Sequence, residues 1–254
     1  MEITFLGTGT SQGIPVIGSS HPVCQSENPK DKRLRVSVLL SWDTYNYVID
    51  CGPDFRQQML RENCSKIDGI LLTHEHSDHT AGIDDIRPLY FRQGHMPFFA
   101  HQRVFESLYK RYSYIFENEN KYPGAPTIEE IEIVKDKSFI IGGKTVVPIE
   151  VLHNELPVLG FRIEDFTYLT DVKTIAEEEI NKIKGTKVLV INALREKPHY
   201  SHLSLSEALQ IIEKIKPEKA YLTHISHLLG FHEEVEKRLP ENVFIAYDTL
   251  KINL

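Results

Sequence analysis

The chain has 254 residues, 41% of them hydrophobic and 26% charged, which is ordinary globular composition with enough length for a sizeable core. A formal net charge of −7 argues against a general nucleic-acid-binding surface. The sequence has no apolar run of about 18 residues that would span a membrane, and Cys24, Cys51 and Cys64 are too few and too scattered for a disulfide framework.

The opening MEITFLGTGTSQG lacks a basic region and a long apolar stretch, so it reads as a first strand and Gly-rich turn, not a secretory leader. A reducing, cytoplasmic setting is expected. RVSVLLSW and YNYVIDCG are β-rich runs suited to strands. PDFRQQMLREN reads as a helix opening with Pro53 and Asp54. IDGILLT is a buried strand that delivers a His-rich cluster at its end. A helix is expected from about Asp78 to Leu89, stopped near Pro88. VFESLYKRYSYIF has a helical period, and ENENKYPGAPT is a polar loop.

The second half continues in the same style. KSFIIGGKTVVPIEVLH is two β runs joined by Gly142 and Gly143, and LGFRIEDFTYLTD is a second hairpin. KTIAEEEINKIK is an amphipathic helix closed by Gly185. TKVLVINAL is a strand. SLSEALQIIEKIKP is a helix with a capping box, Ser204 with Glu207, ending at Pro217. KAYLTHIS is a further strand. Strand-rich halves that each carry helices predict two packed sheets with helices outside, in a single domain over 1–254.

The stretch LLTHEHSDHTAG crowds His74, His76, Asp78 and His79 just after an apolar run. Alternate residues of an extended segment share a face, so His74 and His76 can chelate one ion. If the chain turns into a helix at Asp78, then Asp78 and His79 can face a second. Imidazole and carboxylate suit zinc, manganese or iron at hydrolytic centres. His153, Asp171 and His224 each end a later β run, so a fold that gathers strand ends at one sheet edge would add them to the site. A carboxylate such as Asp171 can bridge two cations because its oxygens bind separately.

The pattern His-x-His-x-Asp-His after a strand, with a downstream His, an Asp after a strand and a final His, resembles the metallo-β-lactamase superfamily over nearly the whole chain. The resemblance implies an αββα sandwich, in fold class α/β (α+β), with two mixed sheets and helices on the outer faces. It also implies two divalent ions. His74, His76 and His153 would hold the first, Asp78, His79 and His224 the second, and Asp171 would bridge. GTGTSQGIP, DCGPDFR and LTHISH are similar to the phosphoribosyl cyclic phosphodiesterase group, which lacks the long arm of the related tRNA-processing endonucleases. No such arm is visible here. That group often carries Cys-x-Cys-x-x-Cys in the loop GIPVIGSSHPVCQS. Here Ser19 and His21 stand at the first two cysteine positions and Cys24 is retained. His21, Cys24 and His227 would then be the candidates for a third, structural zinc. His232 has no motif behind it.

The family also places a catalytic His at the position of His202, the candidate donor of a proton to the leaving oxygen. With Asp78, His202 is expected to stand closest to the chemistry. Asp50 is a candidate to orient a ligand His from behind. The expected activity is a metal-dependent phosphodiesterase on small or cyclic anionic phosphodiesters, such as a phosphoribosyl cyclic phosphate. No membrane or nucleic-acid partner is expected, and a homodimer is left open. The rivals are another hydrolase on the same scaffold, acting on RNA, a thioester or a lactone, and a non-catalytic metal-stabilised binding module.

Overall fold

Neighbouring residues of one strand go to different cores. In the computed structural model, which describes residues 1–117 and 121–254, β1 (Glu2–Gly7) sends Ile3 and Phe5 into one apolar cluster and Leu6 into another. β2 (Ser37–Trp42) divides Val38 and Leu40 from Leu39 in the same way. A strand buried on both faces reads as a continuous apolar run, as these do.

The first sheet continues through β3 (Tyr45–Ile49), β4 (Gly69–Leu71), β5 (Met96–Ala100) and β6 (Ile128–Glu132). The second contains β7 (Phe139–Ile141), β8 (Lys144–His153), β9 (Leu156–Ile163), β10 (Phe166–Tyr168), β11 (Val188–Asn192), β12 (Lys219–Thr223) and β13 (Val243–Ile245). β14 (Lys251–Asn253) returns to the first sheet and pairs antiparallel with β1. Among the described residues both sheets are seven-stranded and mixed: β3 to β6 run parallel, as do β10 to β13, and the remaining pairs are antiparallel.

The central core joins the facing sides of the two sheets, with Phe5, Leu40 and Ile49 from one and Phe161, Phe166 and Val190 from the other. The helices, in chain order, are α1 (Pro22–Gln25), α2 (Phe55–Arg61), α3 (Ser77–Thr80), α4 (Arg87–Gln93), α5 (Gln102–Arg111), α6 (Ser113–Phe116), α7 (Glu177–Ile183), α8 (Leu205–Ile215) and α9 (His232–Glu236). Phe55, Met59, Leu89, Val104 and Leu108 cover the outer face of the first sheet, and Ile180, Ile183, Ala208 and Ile212 that of the second. The expected αββα sandwich is therefore present. No helix among the described residues is long and apolar enough to cross a membrane.

Some local expectations are corrected. The single helix over Asp78 to Leu89 is instead α3, a 3₁₀ turn at Ile83–Ile86, and α4. Pro88 does not stop a helix; it lies in the first turn of α4, where its missing N–H has no partner to lose. The run VFESLYKRYSYIF is split at Tyr112, whose φ of −130° and ψ of 42° leave the helical region. The capping box of Ser204 and Glu207 forms at α8, and Gly142 and Gly143, both at positive φ, turn β7 into β8. Strands β5, β6, β13 and β14 were not foreseen. The expected polar loop ENENKYPGAPT falls partly on 118–120, outside the described residues.

Candidate metal centre

The histidine-rich segment follows β4 and is held from behind by the turn after β3. Cys51 N donates to His79 O at 2.9 Å and Gly82 N to Cys51 O at 2.8 Å. Gly52 is required there: a Cβ would lie 2.0 Å from Asp78 O. Asp50, fully buried, accepts from Thr73 N at 2.9 Å, from the Thr73 hydroxyl at 2.9 Å and from His79 Nδ1 at 2.7 Å. This fixes the His79 proton on Nδ1 and leaves Nε2 free to bind a cation. His153 is fixed in the same way, donating from Nδ1 to Ser201 O at 2.8 Å.

Three site residues hold left-handed backbone just past a strand: Asp50 at φ 62°, Asp171 at φ 56° and His224 at φ 54°. Each follows the end of β3, β10 or β12 and leaves its strand by a sharp bend. Such bends are disfavoured for residues with a Cβ and are held only by strong surroundings.

The result is a convergence of donors. His79 Nε2 lies 3.2 Å from Asp78 Oδ2 and 3.2 Å from Asp171 Oδ2, and His224 Nε2 lies 3.6 and 3.4 Å from the same two oxygens. Yet the Nε2 atoms of His74, His79 and His224 are buried without a hydrogen-bond partner. Donors this close but not aligned on one another are aimed at a common point. Metal bonds of about 2.0–2.1 Å set tetrahedrally put ligand atoms about 3.4 Å apart, so these spacings fit a divalent cation.

The ligand atoms fall into three groups, each within 4.8 Å: His74, His79 and Asp171; Asp78, His79 and His224; and His153, Asp171 and His202. Asp171 is common to two of them, with Oδ2 toward His79 and His224 and Oδ1 3.0 Å from His202 Nε2. The expected set His74, His76 and His153 is close by its rings, with centroids 4.5, 5.3 and 6.0 Å apart, though its donor atoms do not form a group of their own. His202 was expected as a proton donor beside these residues; its donor atom falls in one of the three groups, with His153 and Asp171.

Charge supports the same reading. Burial opposes ionisation of Asp171, but His224, His79 and His202 hold it well below the usual carboxylate range, and Asp78 is also lowered, by His79 and His224. Burial opposes a charge on His79, yet Asp78, Asp171 and Asp50 hold it well above the usual imidazole range. Burial lowers His74 and His76, and pushes His202 down to about 4 against the pull of Asp171. Ionised carboxylates and neutral imidazoles are the forms that bind a metal, and the positive charge that the buried carboxylates draw onto His79 is one that a bound cation would supply in its place.

His76, Asp78, His153, Asp171, His202 and His224 line a cavity of about 330 Å³ with Thr10, Ser11, Leu194, His199, Tyr200 and Ser201. Two roomier grooves of about 450 Å³, between α8 and β13 and between α2 and α4, contain none of these donors. His199 was not expected at the site, yet its Nδ1 lies 3.2 Å from His202 Nδ1. Its only sequence signal is that it stands three residues before His202.

The loop candidates are engaged elsewhere. His21 Nδ1 accepts from Val23 N at 3.3 Å and caps α1, and Cys24 Sγ accepts from Val16 N at 3.5 Å. Cys24 packs with Ile14 and Val23. The His21 and His227 rings meet edge to face at 4.9 Å, but the three residues do not form a common donor group.

The β-lactamase superfamily domain model matches residues 45–225. A protein of Porphyromonas gingivalis named octanoyltransferase is 40% identical over 253 residues, which is 99% of this chain and 51% of that protein. The chain thus spans about half the length of that curated relative. A crystal structure of a new diphosphatase from the PhnP family is 37% identical, covers 100% of this chain and 97% of its own, and superposes with a TM-score of 0.93. Human tRNase Z, short form, shares the fold at a TM-score of 0.72 and 16% identity, over 100% of this chain and 99% of its own. With the sandwich and the histidine motif, these matches establish that the chain belongs to the metallo-β-lactamase superfamily and, within it, to the PhnP family.

Proposed function

We propose that the protein is a metal-dependent hydrolase of small or cyclic phosphodiesters. The observation that carries this reading is the cavity lined by His76, Asp78, His153, Asp171 and His224, beside which the Nε2 atoms of His74, His79 and His224 are buried without a partner and grouped with Asp78 and Asp171. His74, His76 and His153 would hold one divalent ion, and Asp78, His79 and His224 a second, with Asp171 between them. Zinc, manganese and iron all suit this donor set. Two such ions lower the pKa of water and neutralise charge on phosphoryl oxygens.

The protein's own groups supply the remainder. Asp50 and Ser201 O fix the tautomers of His79 and His153. His202, neutral near pH 7, directs Nε2 into the cavity at 3.0 Å from Asp171 Oδ1. From that atom it gives a proton to the departing oxygen. A solvent proton relayed through the Ser201 hydroxyl, whose Oγ lies 3.1 Å from Nδ1 and which takes up one proton as it passes one on, replaces it, so that ring and hydroxyl both end neutral. A second reading, cleavage of a phosphoric anhydride, is favoured by the name of the 37% identical PhnP-family diphosphatase. Both reactions place the same anion in the same cavity.

The test is a substrate panel on protein stripped with chelator and reloaded with zinc or manganese. Cyclic nucleotides, an aryl phosphodiester, nucleoside diphosphates, a short RNA, a thioester and a lactone are offered at equal concentration. Metal-dependent turnover of the cyclic nucleotides and the aryl phosphodiester above the RNA, the thioester and the lactone is expected. Turnover of the thioester or lactone alone would overturn the proposal.

A further inference from the structure

Tyr200 is 75% exposed, yet it lines the same cavity as His153, Asp171, His202 and His224. A large aromatic ring left open at the mouth of a polar cavity buries nothing of the protein's own core. Its back is supported: the ring lies over His199 with centroids 4.6 Å apart and planes at 34°. His199 is braced in turn against His202, at 5.1 Å between rings. Three aromatic groups thus run in series from the metal ligands outward to solvent, and the last has an uncovered face.

We infer that Tyr200 is a stacking platform for a planar ring of the substrate, and that the substrate is a nucleoside-bearing phosphate ester, not a bare sugar phosphate. The inference rests on the phosphodiester reading above. A phosphoryl group on the cavity floor sends its ester substituent out past His202. Away from the candidate metal donors the cavity is lined by Thr10, Ser11, Leu194, His199, Tyr200 and Ser201, and of the two aromatic groups among these Tyr200 is the exposed one, with His199 half-buried behind it. Every nucleobase has a π face, so stacking needs no particular base and no hydrogen-bond code. His199 holds the ring in place, which limits the freedom lost when a base settles on it.

The experiment uses two substrates with the same reacting group, adenosine 2′,3′-cyclic phosphate and ribose 2,3-cyclic phosphate, on the metal-loaded protein. Tyr200→Ala is expected to raise KM for the nucleotide roughly 5- to 100-fold with kcat little changed, the range that stacking on one aromatic side chain supplies. The base-free substrate should be unaffected, and Tyr200→Phe should behave as the wild type. Equal effects on both substrates, or none on either, would overturn the platform. If the wild type turns over neither compound, the phosphodiester reading fails on its own. Calorimetric binding of adenosine 5′-phosphate and ribose 5-phosphate to wild type and Tyr200→Ala then decides the platform. A preference for the nucleotide that disappears in Tyr200→Ala supports it, and no preference overturns it.

Discussion

Asp50 Oδ2 lies 2.7 Å from His79 Nδ1, with both side chains wholly out of solvent. The pair is the rear support of the site: His79 takes part in two of the three donor groups, and among the described residues Asp50 and Thr73 alone approach its far nitrogen. Asp50→Asn keeps the size but removes the charge, and directs an amide N–H at either Thr73 or His79. Metal affinity should fall about 10- to 100-fold, as for other partners behind a ligand histidine. Competition against a chelator measures it, and an unchanged affinity would show that the tautomer is held by other means.

A second support comes from α5. Arg103 Nε lies 3.1 Å from Glu75 Oε1, while its Nη2 donates to Pro157 O at 2.6 Å. Arg111 Nη2 donates to Glu75 O at 2.9 Å. The ligand loop and the start of β9, just beyond His153, are thereby tied to one helix. Arg103→Met should weaken metal retention roughly tenfold. Arg103→Lys should not rescue it, because an ammonium cannot serve two divergent acceptors as a guanidinium does. Retention by either variant at the wild-type level would remove Arg103 from this role.

Protein purified without chelator is expected to contain two divalent ions per chain. His21 and Cys24 already accept backbone hydrogen bonds, and no donor group joins them to His227 among the described residues. Cys24→Ala should leave the count unchanged. Elemental analysis giving three ions, one of them lost in Cys24→Ala, would restore the loop zinc.

His202→Ala should lower kcat by about 10²–10⁴-fold, the usual contribution of a general acid. Metal content should hold, since Asp171 retains His79 and His224 nearby. The loss should shrink for a nitrophenolate leaving group, which departs without a proton, and be largest for an alkyl or ribosyl one. A loss equal across leaving groups would leave His202 a positioning residue only.

The last prediction concerns pH and lies away from the metals. His232 is 3% exposed, with Arg33 Nη2 3.2 Å from its Nδ1, Lys30 and Asp31 near, and Tyr247 against its ring. Burial, and then Arg33, push its pKa down to about 4. The unfolded chain, near the ordinary imidazole value, takes up a proton first. Stability from this group is therefore present above about pH 6.5 and lost as pH falls toward 4, by at most about 3 kcal/mol. Subtracting the curve of His232→Gln from that of the wild type isolates the contribution from acid loss of the metals. Parallel curves would contradict it.

Much of the candidate site was legible because the residues that could hold metal sit at strand ends within short motifs. His74, His76, Asp78 and His79 announce themselves by spacing, and His153, Asp171 and His224 by following apolar runs. The groups that complete the cavity carry no such mark. Tyr200 and His199 lie in the loop after β11, and Thr10 and Ser11 in the turn after β1, so only the tertiary fold brings them to the rim. The unforeseen strands have a similar cause. β5 contains a proline, β6 is rich in glutamate, and β13 and β14 are three residues each, so all depend on a neighbouring strand to form. Pro88 misled because its effect depends on which turn of the helix receives it.

The bends at Asp50, Asp171 and His224 bind two requirements to the same letters. Among residues with a Cβ, Asn, Asp and His tolerate the left-handed region best. At these corners the amino acid that serves the chemistry is also one that the backbone accepts. Asn in place of either aspartate keeps the bend and discards the charge; Glu in place of Asp171 keeps the charge but fits the bend less well and reaches too far. The centre can therefore be emptied by one substitution without unfolding the sandwich, but it cannot readily be rebuilt with other ligands. A lineage that lost this activity would retain the fold, and one that kept it would have little freedom at these corners.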